Sequence, residues 1–103
     1  MAHIRRMPAA WAIHPGEILR EEFLKPLRLS VYALAKGLRV PAQGINDVVL
    51  EKRGVSPATA LRLAQFLGTT AEFWMNIQAA YELAAARRSL KKEVRKIRPV
   101  RVA

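Results

Sequence analysis

Gln43, Asn46 and Asp47 carry most of the directional polar chemistry in the middle of this sequence, with the apolar Ala42 beside them. Gln43 and Asn46 each hold an amide donor beside an amide acceptor. That pattern pairs bidentately with the N6 and N7 edge of adenine, and a good pair is worth roughly 1–3 kcal/mol of discrimination. Ala42 suits the methyl group of thymine, while Asp47 either accepts from a cytosine amine or repels phosphate. A spacing of three places Gln43 and Asn46 on one edge of a helix. The pair therefore either reads base edges or is an ordinary solvated edge. Ser30, Lys36, Lys52 and Arg53 border the stretch and are candidates for phosphate contacts, which fix register without reading sequence. For Ser30 a helix cap, and for the cations plain solvation, stand as alternatives.

Catalytic chemistry has no comparable foothold. There is no cysteine, neither His3 nor His14 has a second ligand at metal-binding spacing, and no glycine-rich phosphate loop occurs. We expect no enzyme activity, no metal and no cofactor.

The elements that must position these residues are all helical. Pro15 suits a first helical position, Glu17, Glu21 and Glu22 favour a positive helix start, and Ile18, Leu19 and Phe23 give an apolar face. Pro26 is expected to stop this helix, leaving it as about 15–24. Ser30 can cap a second helix, about 31–37, with Leu34, Ala35 and Leu38 inward. Pro41 is placed to begin a third, about 41–50, with Ile45, Val48 and Val49 as its buried stripe. Lys52 to Gly54 reads as a loop. Ser56-Pro57 starts a fourth helix, in which Leu61, Ala64 and Leu67 are expected to face inward until Gly68 caps it. Thr70 caps a fifth, on which Phe73 or Trp74, Ile77, Tyr81 and Ala84 recur at helical spacing, with Leu90 and Val94 carrying the pattern on before Pro99. The fold class is therefore all-α, with five helices and no strand pattern.

The net charge of +10 is unevenly placed: residues 1–14 carry +2, residues 15–86 only +1, and residues 87–103 carry +7. This divides the chain into an N-terminal arm (1–14), a helical domain (15–86) and a basic C-terminal extension (87–103). Clustered cations of this kind favour a polyanionic partner through counterion release, although a solvated tail has the same composition. No apolar run reaches the roughly 18–20 residues of a membrane span, and the opening residues lack a signal-peptide core. We expect a soluble, cytoplasmic protein without a membrane partner.

Residues 31–50 meet most requirements of a helix-turn-helix. Leu34 and Leu38 anchor the first helix, Ala35 permits close approach, Val40 fills the turn, and Ile45 and Val48 close the pair. An ordinary helical hairpin would share this core pattern. The stretch from His14 to about Tyr81 resembles the HigA/VapI antitoxins of the Xre (Cro/C1-like) helix-turn-helix superfamily. The likeness rests on HPGEIL (His14 to Leu19), YALAK (Tyr32 to Lys36), KRG (Lys52 to Gly54), TALRLA (Thr59 to Ala64), and Phe73-Trp74, Asn76 and QAAY (Gln78 to Tyr81).

The resemblance implies a five-helix phage-repressor-like fold and a dimer that binds duplex operator DNA and represses its own operon. It also implies neutralisation of a partner toxin, an mRNA-cleaving HigB-type nuclease. Arg39 stands where the family turn usually has glycine, and a left-handed conformation there costs about 1 kcal/mol. Gly44 and Leu50 stand where the family tends to carry arginine, which removes two possible DNA contacts. A homodimer would read half-sites roughly 34 Å apart. Trp74, Ile77 and Tyr81 are candidates for its interface, and equally for the internal core. The competing readings are a stand-alone phage-like repressor, a toxin-binding module with weakened DNA contacts, and an RNA-associated basic protein.

Overall fold

Each helix of this chain begins and ends where a local hydrogen-bonding device permits it. The computed structural model describes residues 12–101. Most of the expected N-terminal arm, including His3, lies outside that range. Helix α1 is one run assembled from Pro15–Ile18, a wider π-helical segment Leu19–Leu24, and Lys25–Leu27. Then come α2 (Val31–Leu38), α3 (Ala42–Val49), α4 (Pro57–Leu67) and α5 (Ala71–Arg95). Ser30, Ser56 and Thr70 cap α2, α4 and α5, each side-chain oxygen accepting the backbone N–H three residues on. Gly68 closes α4 in the left-handed conformation at φ 77°. Among the described residues there is no strand, and no helix is long and apolar enough to cross a membrane.

Pro26 does not end the first helix. The Lys25 N–H reaches back five residues to the Arg20 carbonyl. This widens the turn where the proline ring would otherwise meet the carbonyl four residues earlier. Termination falls instead to Arg28, left-handed at φ 52°, with the Leu29 N–H on the Leu24 carbonyl at 2.9 Å.

The core draws on every helix. Leu19, Leu34, Leu63 and Trp74 are fully buried, and each such apolar side chain contributes about 1.5–3 kcal/mol by leaving water. Leu61 is not among them. It is exposed, and the inward face of α4 is set by Ala60 and Leu63 instead. The spacing 61, 64, 67 fits a helix as well as 60, 63, 67 does. Only the placement of α5 decides between faces one residue apart.

The fifth helix outlasts the core. Ala84 is its last buried residue, and everything from Arg87 to Arg101 is exposed. The molecule measures 55 × 27 × 25 Å.

Candidate nucleic-acid interface

Helix α3 and its approach form the expected helix-turn-helix with α2. Arg39 takes the left-handed conformation of the family glycine (φ 61°, ψ 44°), so the turn keeps its shape at the cost of some backbone strain. The Val40 N–H bonds to the Ala35 carbonyl at 3.0 Å, and Arg62 donates from α4 to the Leu38 carbonyl at 2.6 Å. Together they satisfy the end of α2. Pro41 stands just outside α3 as its N-cap, since its missing N–H leaves nothing unpaired there.

Ile45, Val48 and Val49 bury one side of α3. On the other side Gln43 is exposed, while Ala42, Asn46 and Asp47 are half-buried. The Gln43 amide donates to Asp47 Oδ1 at 2.9 Å, and Arg53 lies 3.9 Å from the other carboxylate oxygen. Gln43, Asp47 and Arg53 thus form one surface chain. Gln43 and Arg53 also line a shallow groove with Val40, Pro41, Gly44 and Thr59.

The rear of α3 is held by α1. Arg20 donates through one terminal nitrogen to the Val49 carbonyl at 2.6 Å and through the other to Glu51 at 3.3 Å, while its Nε bonds Glu21 at 3.1 Å. These carboxylates hold the guanidinium pKa above its usual value, with the Glu21 hydrogen bond the largest cause. Glu21 is in turn held below the carboxylate range by Lys25 first and Arg20 second. Gly16 lets α1 approach the Val48 carbonyl more closely than any side chain would allow. The preceding His14 is buried. Its Nδ1 accepts the Gly16 N–H at 2.8 Å, and its ring meets Tyr81 edge-on with centroids 4.9 Å apart. Burial holds the imidazole pKa below the ordinary 6.5, outweighing the pull of Glu51.

Of the expected phosphate contacts, Lys36, Lys52 and Arg53 are exposed. Ser30 caps α2 through its oxygen lone pair. The loop bearing Lys52 and Arg53 is anchored by Gln78, 7% exposed, which accepts the Val55 N–H at 2.7 Å and donates to Glu82 at 2.8 Å. Neither Arg20 nor Gln78 was given a role in the site from the sequence, where Gln78 stands only within the QAAY stretch. Nothing in the sequence marks Arg20. Gln78 at least shows a polar residue beside the inward row of α5.

Trp74 and Ile77, candidates for a dimer interface, are interior to the monomer, 0% and 5% exposed. The indole N–H donates to Thr69 Oγ1 at 2.8 Å, and the ring packs on Phe23 and Phe73. Their apolar surface is already spent inside this chain. Tyr81 is half-buried against His14. Among the described residues no cluster of three His, Cys, Asp or Glu side chains could hold a metal ion.

No protein-family model matches the chain. It is 56% identical over 75 residues to virulence-associated protein I of Dichelobacter nodosus, covering 73% of this chain and 69% of that protein. The Pseudomonas aeruginosa antitoxin HigA, solved with the higBA promoter, superposes with a TM-score of 0.84 at 46% identity, covering 87% of this chain and 99% of that one. Antitoxin GraA in complex with its operator also gives 0.84, at 42% identity, covering 98% of this chain and 100% of that one. The basic C-terminal stretch therefore falls within the matched length, beyond the motifs that first carried the resemblance. An all-helical body presenting α3 beside α2 defines a helix-turn-helix protein, and the relatives it matches are antitoxins and DNA-binding regulators. Similarity of this degree over most of both chains narrows class to family. The chain belongs to the HigA-type antitoxins of the Xre helix-turn-helix superfamily.

Proposed function

We propose that this chain binds operator DNA as a dimer, represses its own operon, and neutralises a HigB-type mRNA-cleaving toxin. The observation that carries the DNA-binding part is the state of the polar edge of α3. Gln43 is exposed, and among the described residues the one hydrogen bond of its amide runs along its own helix to Asp47, four residues on, so no neighbouring helix of that range covers it. Ala42, Gln43, Asn46 and Asp47 are the base-reading set. Ser30, Lys36, Lys52 and Arg53 hold phosphates on either side. Relatives solved with promoter or operator DNA support the same reading.

With Trp74 and Ile77 committed to the core, the second subunit docks on what α5 leaves uncovered. Leu83, Leu90 and Val94 are exposed at spacings of seven and four, which is one stripe of the helix, and the exposed Ile97 follows just past its end. The reading as a toxin-binding module with weakened DNA contacts draws on a different fact: Gly44 and the exposed Leu50 bring no cation to the groove.

Titration of the protein and of a Gln43→Ala, Asn46→Ala double variant against duplex from its own upstream region, and against random duplex of equal length, tests the proposal. Loss of at least about thirtyfold in affinity confined to the upstream duplex is expected, from two pairs at about 1–3 kcal/mol each. Equal affinity of the unmodified protein for both duplexes overturns operator reading and leaves the toxin-binding role.

A further inference from the structure

We propose that the exposed basic face of the last turns of α5 is a second, sequence-independent contact for duplex DNA, gripping phosphates away from the bases that α3 reads. It rests on the DNA-binding reading of α3 only for its biological setting. The contact itself follows from the charge and shape of α5.

The recognition helix carries Asp47 as its sole charge, and the domain from 15 to 86 is nearly neutral, so beyond Lys36, Lys52 and Arg53 the largest reserve of positive charge lies outside it. Arg87, Lys91 and Arg95 follow one another at intervals of four, a row with about 6 Å between successive charges. Arg88, Lys92 and Lys96 form a second row beside it. All six are exposed, and among the described residues none forms an ion pair with a carboxylate. The two rows occupy one side of the helix. The apolar stripe of Leu83, Leu90 and Val94 borders the first row, Val94 lining one groove with Arg87, Arg88, Lys91 and Arg95, so a partner on the stripe runs alongside the cations and leaves Lys92 and Lys96, farther round the helix, uncovered.

Three polyanions could meet such a face, and the residue types favour one. Single-stranded nucleic acid is held by bases stacking on aromatic rings, and no Phe, Tyr or Trp occurs after Tyr81. Helices that lie in membrane interfaces need a free apolar face, and the stripe of Leu83, Leu90 and Val94 is here assigned to the second subunit, with no Trp or Phe to anchor it in a headgroup layer. Duplex phosphates need only cations in a row, and arginine forks serve them well.

The test compares the full chain with an Arg87→Gln, Arg88→Gln, Lys91→Gln, Arg95→Gln variant. Glutamine preserves helix propensity, and circular dichroism checks that helicity is retained. Binding to random duplex is measured from 50 to 200 mM salt. If all four cations meet phosphates, the slope of log affinity against log salt becomes shallower by about 3.6, so the unmodified chain loses about 150-fold more affinity across that range than the variant. A slope change below about 0.9, less than one phosphate, overturns the proposal. So does a larger loss on single-stranded RNA, or on phosphatidylserine vesicles, than on the duplex. Operator reading is measured separately, as the ratio of upstream-duplex to random-duplex affinity of the unmodified chain, so its failure is distinguishable from a failure of this contact, which the salt slope on random duplex alone reports.

Discussion

Replacing Gly16 with alanine probes the joint between α1 and the recognition helix. A methyl group at this position would overlap the Val48 carbonyl oxygen and would stand 2.9 Å from the carbonyl carbon and 3.0 Å from His14 Nδ1. The obstacle is backbone, so it cannot swing aside. Overpacking of this kind costs about 1–3 kcal/mol, and displacing the Gly16 N–H from His14 adds about 1 kcal/mol for a lost cap. Alanine recovers about 0.4–1 kcal/mol by restricting the unfolded chain. The net loss is about 1–3.5 kcal/mol, a fall in Tm of about 5–25 °C for a domain of this size. Gly37→Ala and Gly44→Ala are the controls. At Gly37 the methyl meets the Phe66 ring with its Cζ at 2.6 Å, but that ring is 45% exposed and free to turn. At Gly44 the nearest group is an Arg53 nitrogen at 3.1 Å. Both controls should be neutral or gain up to about 1 kcal/mol from helix propensity. Urea and thermal unfolding followed by circular dichroism measure all three. If Gly16→Ala lies within 1 kcal/mol of Gly44→Ala, the close approach of α1 to α3 is not what positions the recognition helix.

Arg20→Ala should cost about 1–2 kcal/mol by denaturant midpoint, because it strips a charged hydrogen bond from the carbonyl of buried Val49. Arg20→Lys should restore little, since one ammonium lacks the fork that reaches both Val49 and Glu51. His14 predicts a pH effect: its folded pKa lies below 6.5, so as pH falls through 6.5 the unfolded chain takes up a proton that the folded one refuses, and stability drops by at most about 1.4 kcal/mol per unit. His14→Asn keeps a cap acceptor and should flatten that acid limb in unfolding curves taken from pH 7.5 to 5; an unchanged limb refutes the assignment.

Features governed by neighbours in sequence were legible before the structure. Ser56-Pro57 and Gly68 bracket α4 because capping acts over three or four residues, and the same holds for Ser30 and Thr70. Pro26 misled because its usual effect assumes an α-helical turn, and a π-helical segment removes the clash. Leu61 misled because two faces of α4 satisfy the same period. The supports of the site were out of reach for a different reason. Arg20 and Val49 are 29 residues apart, and Gln78 and Val55 are 23 apart. Such bonds exist only after the helices have docked.

One contact within the site works against its expected use. One of the two Gln43 amide N–H groups is tied to Asp47, which holds the side chain along its own helix until that bond opens, and the Asp47 carboxylate brings a negative charge to the edge that would meet a polyanion. A Gln–Asp pair at this spacing is worth about 0.2–0.5 kcal/mol, and one like charge at about 4 Å in water opposes binding by about 1 kcal/mol. Asp47→Ala removes both and releases Arg53, 3.9 Å away, to meet a phosphate. Random-duplex affinity at low salt should therefore rise by about tenfold, measured by fluorescence anisotropy. If the same variant binds the upstream duplex more weakly while binding random duplex more tightly, Asp47 reads a cytosine amine and its charge is the cost of that specificity. If random-duplex affinity is unchanged or lower, the Gln43–Asp47–Arg53 chain does not restrain binding, and Asp47 is part of the support of α3.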